Sequence, residues 1–233
     1  LLDRLTEAVH PFIRPFGLSG RDLVRVMMGY GCNVPAVIST RACSSCTRTT
    51  CISTIAFGSA CSYQLGATIG VFAALGHPAL LLPYLLFLTT TALVYARFVS
   101  SPEARSAHNQ LMIVGRSFLV WPGWSAVWRE ARGTLSQFFG QAIPIFFAIT
   151  AIASLLDWLG VLPSLASLLS PTMAFFRLPA EAAFPVLLAS IRKDGILLFT
   201  DAQLAPTLSS LQILTGVYLA GVLLPCLVTT LTI

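Results

Sequence analysis

Charged residues are scarce in this sequence. Only 10% of its 233 residues are Asp, Glu, Lys or Arg, whereas about a quarter are charged in an average soluble domain. The hydrophobic share is 56%, and the mean hydropathy is +0.82. Because charges are costly in lipid and a spanning helix needs about 20 apolar residues, this composition excludes an ordinary soluble domain. It predicts an all-α, polytopic helical membrane protein.

Several catalytic and ligand-binding motifs are also missing. The chain has no G-x-x-x-x-G-K-[ST] phosphate loop, and neither a Ser-His-Asp nor a paired-carboxylate arrangement stands out in it. Its basic residues are 13 Arg and a single Lys, and most of the Arg separate apolar runs instead of forming a patch. We therefore expect no enzyme activity, no tightly bound cofactor and no nucleic-acid partner, and we assign the Arg-rich segments to the cytoplasmic side.

The pattern of apolar and polar stretches divides the chain into four parts. These are an amphipathic interfacial segment at residues 1–16, a first unit with transmembrane helices at 17–99, a cytoplasmic interfacial loop rich in Arg and Trp at 100–133, and a second unit with transmembrane helices at 134–233. The clearest predicted span is the apolar run at residues 79–99, which is long enough to cross about 30 Å of hydrocarbon. Another span is predicted at residues 134–159.

Polar residues interrupt an apolar helical run near residue 30. Residues 29–35 read Gly-Tyr-Gly-Cys-Asn-Val-Pro, and Pro35 disfavours helix at Val34. Unwound backbone at membrane depth survives only where protein buries it or where it lines a polar cavity. We therefore expect free carbonyl groups beside Cys32 and Asn33. Together with the thiol and the amide oxygen, such carbonyls can hold a transition-metal cation.

A second polar break follows 160 positions further along the chain. An ungapped alignment of residues 178–195 with residues 18–35 places Arg192, Lys193 and Asp194 at this second break. Charges inside an apolar run are expensive in lipid, so these side chains are expected to face the protein interior, where a gating role and an internal salt bridge both remain open. Two corresponding broken segments predict a transport site at the interface between the two halves.

Three separated cysteines lie in or next to helical segments. They are Cys32 in the first break, Cys61 in an Ala-Cys-Ser-Tyr-Gln stretch, and Cys226 directly after Pro225. Thiols on a shared pathway can pass a soft or borderline divalent ion. A free cysteine can equally pack as a small buried hydrophobe, so residue type alone leaves both interpretations open.

Three further cysteines crowd into one stretch. Cys43 and Cys46 form a C-x-x-C pair, and Cys51 follows it. A lone C-x-x-C can chelate a metal, act as a redox pair or do neither, and no second pair completes a structural zinc site. Metal delivery or sensing, redox switching and a neutral packing role therefore remain open.

The longest motif resembles a known family. GLSGRDLVRVMMGYGCNVPAVISTR, from Gly17 to Arg41, resembles the first Gate domain of FeoB-type ferrous iron transporters, whose motif reads GLSGR…L-x-G-F-G-C-N-V-P-A…TR. Three further stretches resemble the second Gate domain of that family: Arg192-Lys-Asp-Gly195, Leu208-Ser-Ser-Leu-Gln212 and Leu224-Pro-Cys226. The resemblance implies two Gate-type repeats that contain broken helices.

The same resemblance implies a function. It identifies the chain as a permease that passes Fe²⁺ across the bacterial cytoplasmic membrane, with Cys32, Cys61 and Cys226 along the ion path. We add Asn33 as a further transient ligand and assign Cys43 and Cys46 as cytoplasmic acceptors of the ion. The expected partners are the lipid bilayer, a further copy of the chain, and a GTPase on another chain or in a region preceding Leu1.

The sequence also departs from that family. Residues 61–67 read Cys-Ser-Tyr-Gln-Leu-Gly-Ala where the family has C-S-A-R-L-P-V, and the cysteines between residues 43 and 51 replace a charged stretch without cysteine. Gate domains also occur in nucleoside transporters and spore-maturation membrane proteins. Transport of a nucleoside or another small solute, and a non-transporting thiol or metal sensor, are therefore the alternative functions.

Overall fold

The computed structural model describes residues 2–106, 123–137, 139–140, 143–223 and 227–230. These residues form helices, turns and loops, and no strand occurs among them. The α-helices are α1 (Leu2–Ile13), α2 (Gly20–Gly29), α3 (Asn33–Ser39), α4 (Ser45–Gly58), α5 (Ser62–Ala74), α6 (Leu81–Val99), α7 (Pro102–Arg105), α8 (Trp124–Gln137), α9 (Ile143–Trp158), α10 (Val161–Phe175), α11 (Ala183–Ile191), α12 (Ser210–Val222) and α13 (Leu227–Thr230). The predicted all-α membrane fold is confirmed.

Two stretches in the first half are long and apolar enough to cross a membrane. They are Ser45–Ala74, which contains α4 and α5, and Pro78–Val99, which contains α6. The second stretch matches the span predicted at residues 79–99, and most of it is not covered by other parts of the described chain. Leu82, Leu86 and Phe98 point outward from it, as expected of a helix that faces lipid.

Helices α4 and α6 run antiparallel and pack closely. At one end the Ser101 hydroxyl donates to the Cys46 carbonyl at 3.4 Å. Further along, a Cβ added to Gly58 would lie 2.4 Å from the Cβ of Ala92. Only a residue without a side chain allows this approach, so small residues bring the two helices together as they do in membrane bundles.

The second half contains a bent pair of apolar helices. Of the span predicted at residues 134–159, residues 134–137 belong to α8 and residues 143–158 to α9, and residues 138, 141 and 142 lie outside the described residues. Helices α9 and α10 together form an apolar pair bent by 81°, which suits a broken span or a re-entrant loop.

The two halves repeat one local backbone conformation 160 positions apart. Gly17 and Arg177 both have positive φ angles, of 77° and 56°. Cys32 and Arg192 are both extended, with φ and ψ of −153° and 129° in the first and −134° and 123° in the second. Because a positive φ is uncommon outside glycine, its recurrence at Arg177 indicates that the backbone path itself is repeated.

Among the described residues, buried apolar side chains form one large cluster, a smaller one, and a minor contact between Val34 and Ile149. The large cluster joins α5, α6, α10, α11, α12 and the 3-10 helix Lys193–Thr200, with Tyr84, Phe72 and Phe199 among its largest fully buried side chains. The smaller cluster joins α1, α2, α3, α4 and the end of α6. The two helix breaks therefore lie in packed regions and not on loops.

Candidate functional site

The first break lies between α2 and α3. Helix α2 starts with a capping box, in which Ser19 accepts from the Asp22 amide and the Asp22 carboxylate accepts from Ser19. It ends at Gly29, and Cys32 is the extended residue directly before α3. Pro35 lies in the first turn of α3, where its missing N–H costs no helical hydrogen bond. The sequence therefore stops one helix and starts another within a few residues.

The carbonyls of Val26 and Gly31 at this break accept hydrogen bonds from side chains, which corrects the expectation from sequence that such carbonyls are free. The Ser59 hydroxyl donates to the Val26 carbonyl at 3.0 Å. The Ser62 amide and hydroxyl both donate to the Gly31 carbonyl, at 3.1 and 2.8 Å. The acceptor left over is Asn33 Oδ1, which is buried without a hydrogen-bond partner among the described residues. The Asn33 amide nitrogen donates to the Ser59 carbonyl at 3.4 Å.

The second break has the same place in the fold and a different chemistry. Helix α11 ends at Ile191, Arg192 is extended, and the 3-10 helix Lys193–Thr200 follows. The Arg192 guanidinium holds Asp194 through two hydrogen bonds, Nε to Oδ1 at 3.1 Å and Nη2 to Oδ2. The internal salt bridge left open from sequence is therefore present in the structure.

Lys193 is buried and bonded to the end of another helix. Its Nζ donates to the carbonyls of Ala220 and Gly221, at 3.3 and 2.9 Å. These carbonyls lie in the last turn of α12. A cation is favourable there because the C-terminal end of a helix carries partial negative charge.

A cavity of about 450 Å³ lies between the two breaks. Its lining is mostly apolar and comprises Cys32, Asn33, Val34, Cys61, Tyr63, Ile143, Phe146, Phe147, Ile149, Ile191, Arg192, Lys193, Asp194 and Thr229. Six residues singled out from sequence are thus brought together from three parts of the chain. The aromatic side chains carried no sequence signal, because apolar residues in an apolar helix do not reveal which of them face a cavity. Cys226 lies outside the described residues.

The cavity is at the middle of the hairpin formed by α4, α5 and α6. Cys61 is the residue directly before α5. On the α4 side of it Gly58 meets Ala92, and on the other side Gln64 donates to the Tyr84 hydroxyl at 3.0 Å. Cys61 therefore lies opposite the central part of α6.

The C-x-x-C cysteines do not form a pair in the structure. The Cys46 thiol contacts the Ser44 hydroxyl at 3.3 Å. Cys43 instead joins Cys51 and Asp22, with one ligand atom from each lying within 4.8 Å of the others. Sequence reasoning missed Asp22, and the Ser-x-x-Asp pattern at residues 19–22 signals only a helix cap.

A comparison with known families assigns the first part of the chain. Residues 1–76 match the family model Gate, described as nucleoside recognition. The match covers about a third of the chain, 76 of 233 residues, and includes the first break and Cys61. No curated protein matches the chain, and no solved structure does. The chain is therefore a helical membrane protein whose first third matches the Gate family model.

Proposed function

We propose that this protein is a ferrous iron permease, and that Fe²⁺ passes through the cavity between the two helix breaks. One observation carries the proposal: Cys32, Asn33 and Cys61 line the same cavity, halfway along the α4–α6 hairpin. The Gly31 and Ser62 contact holds the two thiol-bearing segments side by side. The Gate match over residues 1–76 supports a membrane role for this region.

The donor set suits an ion that must be released again. Thiolate sulfur binds borderline ions such as Fe²⁺ more strongly than hard ions such as Mg²⁺. The orphaned Asn33 Oδ1 adds a neutral oxygen beside the cavity. Two thiols and an amide leave coordination positions open, whereas a closed cage of four thiolates would hold the ion too tightly to pass it on.

The positive charges of the second break are largely compensated. Asp194 neutralises Arg192, and the carbonyl end of α12 holds Lys193. The net repulsion on a cation in the cavity is thereby reduced. In the proposed gate, the Asp194 carboxylate releases Arg192 and binds the passing ion. The ion pair between Arg192 and Asp194 forms again after the ion has left.

The proposed orientation of the protein in the membrane follows from the Arg-rich end of the hairpin. The Arg97 guanidinium donates to the Pro15 carbonyl at 2.6 Å, and Arg48 donates to the Arg41 carbonyl at 3.1 Å. The positive-inside rule predicts that this end is cytoplasmic. A GTPase domain or subunit would act on this side, and the working protein would be a homo-oligomer in the bacterial cytoplasmic membrane.

Uptake of radiolabelled Fe²⁺ into anaerobic proteoliposomes tests the proposal. We expect Cys32→Ser and Cys61→Ser each to reduce the initial rate by at least about tenfold, because each removes a soft donor from the cavity. Cys46→Ser is the matched comparison, since this thiol contacts Ser44 outside the cavity: a wild-type rate would restrict the thiol requirement to the cavity, and a reduced rate would support Cys46 as a cytoplasmic acceptor. Each variant is measured with and without a candidate GTPase.

Two results would overturn the proposal. One is wild-type uptake that never exceeds that of empty vesicles, even with the GTPase present. The other is full activity in the Cys32→Ser, Cys61→Ser double variant, which would show that the thiols are incidental to transport.

Nucleoside transport is the second candidate function. The matching family is described as nucleoside recognition, and Tyr63, Phe146 and Phe147 line the cavity. Aromatic faces of this kind can stack on a base. Exchange of radiolabelled uridine or adenosine across the same vesicles tests this candidate. Nucleoside flux that survives the double cysteine variant, together with absent Fe²⁺ uptake, would favour it over iron.

A further inference from the structure

We propose that Asp22, Cys43 and Cys51 form a second metal site, which takes a borderline divalent transition-metal ion of the Zn²⁺ or Fe²⁺ class. The site lies between α2 and α4 and is separate from the cavity described above. It does not include the C-x-x-C partner Cys46. Its existence does not depend on transport by the cavity.

The three ligand atoms are already close enough to share an ion. One carboxylate oxygen and two thiol sulfurs all lie within 4.8 Å of one another. Around a tetrahedral ion with bonds of about 2.3 Å, two sulfur ligands are about 3.8 Å apart. Movement of each side chain by a fraction of an ångström therefore completes the site. Three protein ligands leave a fourth position open, as in sites that exchange a ligand.

All three residues are buried, so water does not compete for them. The exposed fractions are 1% for Asp22, 7% for Cys43 and 0% for Cys51. Apolar neighbours, among them Val26 and Ile55, surround the thiols. A buried carboxylate is costly unless it is paired; Arg25 pairs with that of Asp22, and a bound ion would neutralise the two thiolates beside it.

The Asp22 carboxylate is held in place and still has acceptor capacity. Its Oδ2 accepts from the Ser19 amide and hydroxyl, at 3.0 and 2.7 Å, and its Oδ1 accepts from Arg25 at 3.3 Å. A carboxylate can accept about four hydrogen bonds. One position on Oδ1 is therefore available, and the existing bonds orient the ligand as outer-shell partners do in metal sites.

The local charges balance when an ion is present. Two thiolates and one carboxylate carry three negative charges, which a divalent ion and the Arg25 guanidinium together neutralise. Arg25 pairs with Asp22 and also reaches the Ala42 carbonyl at 3.5 Å, next to Cys43. Buried charge is tolerated in proteins when it is paired in this way.

The position of the site relates it to the ion path. Cys51 lies ten residues before Cys61, and the helical part of that stretch, from Cys51 to the end of α4 at Gly58, spans about 10 Å at 1.5 Å per residue. The displacement is toward the Arg-rich end, where Ser101 contacts Cys46. An ion that leaves the cavity toward the cytoplasm would therefore meet this site next.

Cobalt binding tests the inference directly. Co²⁺ is added to the reduced full chain in detergent under anaerobic conditions, and the thiolate-to-cobalt charge-transfer absorption is recorded. The test uses a chain with Ser at residues 32, 46, 61 and 226, so that Cys43 and Cys51 are the remaining thiols. We expect one Co²⁺ per chain, displaced by Zn²⁺. In this chain Cys51→Ala should abolish the signal, and Asp22→Asn should weaken binding by at least tenfold.

Two controls keep the outcome interpretable. Monodisperse elution and an unchanged unfolding temperature show that each variant is folded; if Cys51→Ala fails this check, Cys43→Ala takes its place. In the otherwise wild-type chain, Cys46→Ala should retain the absorption of this site because that thiol is not a ligand.

The inference is overturned if the four-serine chain folds and shows no charge-transfer band, or if its band survives Cys51→Ala. It is also overturned if the purified chain contains a Cys43–Cys51 disulfide and, after anaerobic reduction of that disulfide, the chain binds no Co²⁺. These results are independent of Fe²⁺ uptake, because the test chain lacks Cys32 and Cys61. Failure of the cavity proposal therefore leaves this result unaffected.

Discussion

The two helix breaks have one architecture and two chemistries. In each, an extended residue follows a short helix, and the next residue donates to a carbonyl near the end of a partner helix. In the first break Asn33 donates to the Ser59 carbonyl at 3.4 Å. In the second break Lys193 donates to the carbonyls of Ala220 and Gly221. The backbone repeat therefore places a neutral amide and a charged amine in equivalent positions.

This difference indicates a division of labour across the cavity. The first break presents Cys32 and an orphaned amide oxygen, which are groups that can bind a cation. In the second break the charged side chains bind other groups of the protein. Arg192 pairs with Asp194, and Lys193 donates to the Gly221 carbonyl. We therefore expect changes in the first break to alter binding, and most changes in the second to alter stability or gating.

The largest expected effect comes from Gly195→Ala. A Cβ at this position would lie 2.4 Å from the Ala189 amide nitrogen and 2.7 Å from the Leu188 carbonyl carbon. Backbone atoms cannot move aside as a side chain does, so we expect destabilisation by about 3 kcal/mol or more, with little folded protein recovered. Yield and unfolding temperature in detergent measure this effect.

Gly31→Ala is the matched change in the first break. There a Cβ would meet only the Met28 carbonyl oxygen, at 3.2 Å. We expect this variant to fold with an unfolding temperature close to wild type. Equal losses in both variants would contradict the proposed difference in packing between the breaks.

Lys193→Asn makes the second break resemble the first. The shorter side chain cannot reach the Ala220 and Gly221 carbonyls, so two charge-assisted hydrogen bonds are lost. We expect a loss of about 2 kcal/mol in the free energy of unfolding, measured by denaturant unfolding in mixed micelles. An unchanged free energy would show that the buried amine does not stabilise the end of α12.

Asp194→Asn separates gating from stability. Both partners of the ion pair are about a quarter exposed, with side-chain values of 25% for Arg192 and 26% for Asp194. The effect on stability should therefore be below about 1 kcal/mol. Fe²⁺ uptake should fall about tenfold, because Arg192 is left uncompensated beside the cavity.

The double variant Arg192→Gln, Asp194→Asn is the control for this prediction. It removes both charges, and its uptake should exceed that of Asp194→Asn alone if uncompensated charge is the cause. Lower or equal uptake in the double variant would indicate that the Asp194 carboxylate itself is needed.

The smallest expected effect is that of Ser62→Ala. The change removes the hydroxyl bond to the Gly31 carbonyl, while the Ser62 amide still donates to it. We expect a loss of about 0.5–1 kcal/mol. Ser164→Ala is the control, because that hydroxyl bonds only to Gly160 at the start of its own helix. If Ser62→Ala lowered the free energy of unfolding as much as Lys193→Asn does, this would contradict the expectation that the bonds of the second break stabilise the fold more than those of the first.

Much of this architecture could be predicted from sequence. The apolar run at residues 79–99 and the Gly/Pro punctuation at residues 29–35 act locally, so the span and the first break are where they were expected. The offset of 160 residues was also predictable, because the same order of features produces the same backbone angles at Cys32 and Arg192.

The bonding partners were not predictable in the same way. The carbonyls of the first break were expected to be free. Instead, the hydroxyls of Ser59 and Ser62, more than 25 residues further along the chain, donate hydrogen bonds to two of them. The bend of 81° between α9 and α10 was also not predicted, because a composition profile does not register a change of helix direction within an apolar region.

The sequence by itself determined the class of protein, the repeat and the residues that interrupt its helices, because composition, period and turn chemistry are local properties. Only the tertiary structure decided which of those residues meet. It placed Cys61 beside Cys32 in one cavity, and it paired Cys43 with Cys51 and Asp22 instead of Cys46. Such pairings depend on how α2, α4 and α5 pack against each other, and the spacing of residues along a single helix does not indicate that packing.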